Sequence, residues 1–405
     1  MQYLQSTTSD GGSNSADRSP FTTIGGGSAS AQAAPLLAAS GDVEGNGASN
    51  LVIRQTVPYG QGERDEVEVY RVLSGQQPQL IADLAAFDNP GASNGGDLVV
   101  GDVDPSEPGD EIVVSENGDS RQAARLQVFG GLARGALHLL YDLTALPQRT
   151  AVRRPLRLMR DQTAAAPGRA PLWRGAARGP LHVVLGKVFP DSLRLGTEIV
   201  VGTGTGDVYV YGFQGAQGVR LLQFAAFPDA PRSSALKMAV GDVLPSHAAD
   251  EIMVADDGTR GDGLVRIFDG QTGTMFLEFE AFESGAAPAG VEVWAADVIA
   301  ASPGAELIAG QGSAGGRVRI FTIDAGIPKL VVELPDPLHR ATSLGRLLAV
   351  GDLLPGLPGN EIALAQPDPH QPVEVFHVTS GDTQLSSSVD VSAMPGPIRA
   401  IAVGQ

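Results

Sequence analysis

One motif returns along this chain at a nearly fixed interval, and an interval of about 40 to 55 residues restricts a chain to architectures that stack equivalent units. Six segments carry it: LLAASGDVEGNGASNLVI from Leu36, DLVVGDVDPSEPGDEIVV from Asp97, LHVVLGKVFPDSLRLGTEIVV from Leu181, LKMAVGDVLPSHAADEIMV from Leu236, VEVWAADVIAASPGAELIA from Val291 and LLAVGDLLPGLPGNEIAL from Leu347. A seventh copy opens at Ile398 as IRAIAVGQ. Taking the residue after the small Gly or Ala as a ruler gives Asp42, Asp102, Lys187, Asp242, Asp297, Asp352 and Gln405, with steps of 60, 85, 55, 55, 55 and 53. The two long steps carry insertions.

Each unit has the same internal order: an apolar strand ending in Gly-Asp or Ala-Asp, a turn, a second strand such as EIVV, a glycine-rich hairpin and an alternating third strand. The third strands VEVYRV, LQVF, VYVYGF, LVRIF, RVRIF and VEVFHV show the period of two expected of half-buried strands. A fourth follows, as in LIADLAAF, LLQFAAF and MFLEFEAF. A four-stranded antiparallel sheet of this size cannot bury both faces alone, so neighbouring sheets must stack, and radial stacking closes a ring. The expectation is an all-β, seven-bladed propeller over residues 36–405, closed by strands shared between the termini, with Gln2 to Gln5 and Phe21 to Ile24 as outer strands of the closing blade. The alternative is six full blades and an incomplete seventh in a fragment, with residues 1–35 as a partly disordered N-terminal segment.

Composition agrees with many short strands and tight turns: 52 glycines, 28 prolines and 5% aromatics. The absence of cysteine excludes disulfides, thiolate metal sites and cysteine nucleophiles. A formal charge of -18 opposes binding to nucleic acid and to anionic lipid. The start, MQYLQSTTSDGGSNSADRSP, has neither a basic n-region nor an apolar h-region, and no run of about 18 apolar residues occurs. Neither a signal peptide nor membrane insertion is expected.

The segment GDVEGNGASNLVI resembles the FG-GAP or VCBS repeat of integrin-α-like propellers, whose pattern runs Gly-Asp-x-Asp-Gly-Asp-Gly followed by Asp and an apolar strand; LVRIFDGQTG and EFEAF resemble outer strands of bacterial versions. The likeness extends from Leu36 to Gln405 and draws its specificity from repetition. It implies calcium in the first turn of a unit, held by hard oxygen ligands, with Asp42, Glu44, Asn46 and Asn50 as the best loop and Asp102, Asp104, Ser106 and Asp110 as the second. The other copies depart from it: Leu244 and Ser246 follow Asp242, Ile299 and Ala301 follow Asp297, Leu354 and Gly356 follow Asp352, and Lys187 replaces the leading Asp. A competing reading makes the leading Asp an acceptor for N–H groups of its own turn, with the Glu of the EI pair doing the same from the opposite strand. For Asp242, Asp297 and Asp352 this second reading is preferred; for the first two loops both stay open.

GQGSAG at Gly310 to Gly315 matches a dinucleotide-type glycine pattern, yet RVRIF follows where phosphate cradling needs a helix N-terminus, and GTGTGDVYVY at Gly202 repeats the hairpin. Arg260, Gly261 and Asp262 form an RGD tripeptide in a second-to-third-strand hairpin, a receptor-binding candidate set against a chance tripeptide in a glycine-rich turn. His138, His182, His247, His339, His370 and His377 are scattered through the repeats without metal-ligand spacing, which argues against zinc. No nucleotide or haem site is expected.

The connection from Asp142 to Pro180 holds arginines 149, 153, 154, 157, 160, 169, 174 and 178 against two aspartates, a net +6 that leaves -24 on the remainder. It belongs to the face of the second-to-third-strand hairpins. Arg153, Arg154, Arg157, Arg160, Arg169 and Arg174 are candidates for an anionic partner through the planar guanidinium fork, with Trp173 as an anchor. Docking on the chain's own acidic surface, or disorder, is the preferred alternative. The expected function is a non-catalytic interaction module presenting a loop-lined face to a protein or glycan, extracellular or surface-associated by the resemblance. The rival is a carbohydrate-active enzyme, a lyase or sugar dehydratase using Tyr59, His182 and the arginine loop; a third reading is a purely structural domain.

Overall fold

The computed structural model describes residues 2–5, 21–25, 36–59, 62–73, 77–87, 96–118, 124–144, 180–189, 196–213, 218–228, 236–247, 249–256, 263–283, 290–311, 316–334, 347–354, 356–365, 371–379, 382–389 and 398–403. In chain order the strands are β1 (Gln2–Gln5), β2 (Phe21–Gly25), β3 (Leu36–Gly41), β4 (Asn50–Tyr59), β5 (Gly62–Arg71), β6 (Gln79–Phe87), β7 (Leu98–Gly101), β8 (Glu111–Glu116), β9 (Arg125–Gly130), β10 (His138–Thr144), β11 (Leu181–Gly186), β12 (Glu198–Thr203), β13 (Asp207–Phe213) and β14 (Gly218–Ala225). They continue with β15 (Leu236–Gly241), β16 (Glu251–Asp256), β17 (Leu264–Asp269), β18 (Met275–Glu280), β19 (Val291–Ala296), β20 (Glu306–Gln311), β21 (Val318–Asp324), β22 (Ile327–Leu334), β23 (Leu347–Gly351), β24 (Glu361–Ala365), β25 (Val373–Thr379), β26 (Asp382–Val389) and β27 (Ile398–Val403). Among the described residues no helix is long and apolar enough to cross a membrane.

Strands β3 to β26 form six four-stranded antiparallel meanders, each the repeat unit read in order. The expected seven four-stranded blades are therefore corrected to six. The remaining sheet has three strands in the order β1-β2-β27, with Phe21 opposite Val403 and Gln2 opposite Gly25. The reason is supply: the seventh copy contributes one strand, and two short N-terminal strands pair outward from it. β27 lies against both β23 and β3, the innermost strands on either side.

Alternation along each strand sends one set of apolar side chains to each neighbouring blade, so the core is a series of layers between blades. Between the third and fourth blades, Val200, Val208, Val210 and Phe224 meet Leu236, Met238, Ile252 and Val254. Between the fourth and fifth, Met253, Val265 and Ile267 meet Val291, Val293 and Leu307. Each such side chain, fully buried, contributes about 1.5–3 kcal/mol.

The Gly of the Gly-Asp pair has a packing cause. A Cβ on Gly186 would overlap Val240 of the next innermost strand, and one on Gly41 would overlap Val100. Inner strands converge too closely there for a side chain. Gly186→Val is expected to destabilise the fold by about 1–3 kcal/mol, the usual cost of overpacking, measured as a lowered denaturation midpoint.

A main-chain clasp repeats at the same place. The carbonyls of five ruler residues accept the N–H of the residue that precedes the second strand of the next blade: Asp42 from Asp110 (2.8 Å), Asp102 from Thr197 (2.6 Å), Lys187 from Asp250 (3.1 Å), Asp242 from Ala305 (2.7 Å) and Asp297 from Asn360 (2.7 Å). These five bonds lie at the end of the ring that also carries the third-to-fourth-strand turns, the turn face.

Candidate functional site

The turn face is where the sequence concentrates carboxylates, and most of them serve the turns. Glu111 Oε2 accepts the N–H groups of Val103 and Asp104 (both 2.9 Å), and Glu306 Oε2 those of Val298 (3.0 Å) and Ile299 (2.9 Å). Glu198 serves Val188 and Phe189, Glu361 serves Leu353 and Leu354, and Glu251 takes the Leu244 N–H at 2.9 Å. All five glutamates are buried. In the first blade Asn50 stands in their place and accepts the Glu44 N–H at 3.1 Å. Burial pushes Glu111 and Glu251 up to about 8 and Glu198 to about 7, and raises Glu306, against the downward pull of the N–H donors. Oε1 of Glu111, Glu198 and Glu306 is buried with no hydrogen-bond partner among the described residues.

The oxygens offered to calcium in the first loop are similarly engaged. Asp42 Oδ1 accepts the Asn46 N–H (2.9 Å) and Oδ2 the Gly47 N–H (2.6 Å); Asn46 Oδ1 accepts the Ala48 N–H (2.9 Å). Glu44 receives Arg71 Nε at 3.0 Å, a second Arg71 nitrogen and Asn50 Nδ2 at 3.0 Å; the Arg71 hydrogen bond is the chief cause that lowers its pKa. In the second loop Asp104 Oδ1 accepts both the N–H (3.0 Å) and the hydroxyl (2.6 Å) of Ser106, while Oδ2 accepts the Tyr141 hydroxyl (2.5 Å). Asp110 Oδ2 accepts the Asp42 N–H (2.7 Å), and burial raises both Asp110 and Asp102. In both loops several of the carboxylate oxygens offered to calcium thus accept N–H and O–H groups of the protein itself. Asp42→Ala is expected to cost about 0.5–1.5 kcal/mol, the usual net worth of a hydrogen bond, since the Asn46 and Gly47 N–H groups are exposed to water. The melting midpoint of the unaltered chain is expected to be the same with calcium and with chelator.

The turn-acceptor reading describes Asp42 and the five glutamates, whereas Asp242 Oδ1 is buried with no hydrogen-bond partner among the described residues. The RGD residues Arg260, Gly261 and Asp262, the six arginines expected to meet an anionic partner, His339 and His370 lie outside the described residues. Tyr59 ends β4 opposite Gly62. His182, on β11, lies 3.9 Å from Asp97 Oδ2, and burial lowers its pKa. Gly310 and Gln311 end β20, which pairs antiparallel with β21; the rest of the glycine pattern, 312–315, lies outside the described residues. Among the described residues no three His, Asp or Glu side chains group as metal ligands.

One concave feature breaks the repetition. On the turn face of the fourth blade, a cleft of about 380 Å³ is lined by His247, Ala249, Glu251, Asp269, Gly270, Gln271 and Phe276. The first turn supplies His247 and Ala249, the second strand Glu251, and the third-to-fourth-strand turn and its flanks the rest. His247 Nδ1 lies 3.2 Å from Glu251 Oε1, and its ring packs on Phe276 with centroids 4.5 Å apart. Asp269 Oδ1 accepts the N–H groups of Gln271 (2.9 Å) and Thr272 (2.7 Å), which fixes the carboxylate at the rim. Phe276 remains 42% exposed, an aromatic face open to solvent. In the sequence His247 is one of six scattered histidines; the signal that sets it apart is its place four residues before the repeat's Glu.

No family model matches the chain and no curated protein matches it. Solved structures do. A protein provisionally assigned as a 6-phosphogluconolactonase from Bacteroides uniformis superposes with a TM-score of 0.51 at 13% identity, covering 98% of each chain. BBS1N, solved in complex with ARL6DN, gives 0.50 at 12% identity over 95% of this chain and 89% of that one. Sqt1 of Chaetomium thermophilum, bound to the N-terminus of ribosomal protein L10, gives 0.50 at 12% over 91% and 77%. At such identities the likeness establishes the β-propeller fold and nothing finer.

Proposed function

We propose that this propeller is a non-catalytic interaction module that binds a protein partner through loops at the ends of its blades. The observation that carries this reading is the cleft of the fourth blade. Its polar side chains, His247, Glu251, Asp269 and Gln271, stand beside the open face of Phe276 and could orient a ligand, while His247 is held by Glu251 and Asp269 by the Gln271 and Thr272 N–H groups. The repeated glutamates elsewhere are committed to turn N–H groups. Two of the solved propellers named above were captured with protein partners, which is in keeping with the reading. The setting we infer, from the FG-GAP-like repeat alone, is extracellular or surface-associated.

The test pairs binding with turnover. The full chain is immobilised and panned against a random peptide library, and separately incubated with acidic polysaccharides while unsaturated sugar products are followed by ultraviolet absorbance. Saturable peptide binding without turnover is the expected result. Release of unsaturated products would replace this reading with the carbohydrate-active one.

A further inference from the structure

We infer that the cleft between the first turn and the third-to-fourth-strand turn of the fourth blade receives a basic side chain, arginine or lysine, from an extended segment of a protein partner. The inference rests on the interaction reading above and specifies its ligand. Three observations converge. Glu251, 1% exposed, forms the floor and Asp269 the rim, so two carboxylates face one small volume. Asp242, outside the lining, has a buried oxygen with no hydrogen-bond partner among the described residues, and its charge acts on Glu251 and Asp250. Phe276 offers a half-open aromatic face beside them, the surface over which a guanidinium or ammonium group is attracted by the ring quadrupole.

No arginine or lysine lines the cleft itself. Burial holds Glu251 up at about 8, and the nearby Asp242 and Asp250 charges push it the same way. A ligand cation between Glu251 and Asp269 would favour the ionised form of Glu251 and make charge-assisted hydrogen bonds, which are the stronger kind. His247 occupies one oxygen of Glu251 and braces Phe276, fixing both groups before a ligand arrives. Loss of less side-chain freedom on binding favours affinity. The net charge of -18 also steers basic segments toward the ring, an effect that salt will weaken. Lysine and arginine are missing from this lining, and the side chains in it that could carry charge are Glu251, Asp269 and His247.

The peptide selection on the full chain tests this directly when repeated with two variants. Phe276→Ala removes an exposed ring, and Asp269→Asn keeps an oxygen for the Gln271 and Thr272 N–H groups while removing the charge. Thermal melts establish that both variants fold. Enriched peptides are expected to carry arginine or lysine, and each variant is expected to weaken the tightest of them by about tenfold, with norleucine at the basic position having the same effect. Enriched peptides that lack a basic residue, or that bind both variants as tightly as the unaltered chain, would overturn the cleft assignment and leave the interaction reading standing. Failure to enrich any peptide would overturn both.

Discussion

Replacing Asp65 by alanine is expected to cost about 3–5 kcal/mol, more than overpacking an inner strand or losing a turn acceptor, because it strands a buried positive charge. Arg54 and Asp65 are 4% and 7% exposed and lie 2.5 Å apart on paired strands β4 and β5. Thr56 donates its hydroxyl to the other Asp65 oxygen at 2.9 Å. Arg54 also donates to the main-chain carbonyls of Ser115 (2.6 Å) and Asp97 (3.2 Å), both in the second blade. The pair thus ties one blade to the next, and without Asp65 the guanidinium keeps two neutral acceptors and no counter-charge. A double replacement, Arg54→Met with Asp65→Leu, is expected to recover most of the loss, since well-packed apolar pairs match buried ion pairs. Urea titrations of the three chains read the result. A loss in Asp65→Ala no larger than a surface ion pair gives, about 0–1 kcal/mol, would show that water reaches Arg54.

The second large effect is a change in how stability depends on pH. Glu111 and Glu251 at about 8 and Glu198 at about 7 compare with an ordinary glutamate value of 4.5. The folded chain therefore binds these protons more tightly than the unfolded chain does. Their stabilising contribution is complete below about pH 4.5 and is lost as the pH rises through 7 to 8. Glutamine keeps an oxygen for the turn N–H groups and cannot ionise. The triple variant Glu111→Gln, Glu198→Gln, Glu251→Gln is expected to melt several degrees above the unaltered chain at pH 9 and level with it at pH 4.5. Each pKa displaced by one costs at most about 1.4 kcal/mol in full burial and less where water reaches the turn. Parallel melting curves at the two pH values would contradict this account of the buried glutamates. Glu283 works in a separate window, held down at about 2 chiefly by the Arg319 hydrogen bond, so its contribution is lost only as the pH falls toward that value.

The blades were legible in the sequence because two signals agree at each one. Period-two alternation marks strands such as VEVFHV, and the Gly-Asp to EI spacing marks the turn between the first two. The number of four-stranded blades was misjudged because a lone strand such as IRAIAV announces a sheet without stating how many partners it finds. The glutamate role followed from its recurrence opposite the turn. The clasp between blades did not, since it joins main-chain atoms and leaves no residue type as a mark. The cleft was hidden for another reason. His247 and Phe276 lie in different turns of one blade, and only the folded meander sets their rings 4.5 Å apart.

The clasp bears on where this chain tolerates being cut. Each of the first five blades grips the next through a carbonyl and an N–H that any residue but proline can provide, so these grips do not depend on which blade comes first in the polypeptide. Circular permutants that link residue 405 to residue 1 and open a new start in a second-to-third-strand hairpin, on the face away from those bonds, would keep all five grips. Such rearranged chains offer a route to presenting the fourth-blade cleft next to a fused partner without disturbing its walls.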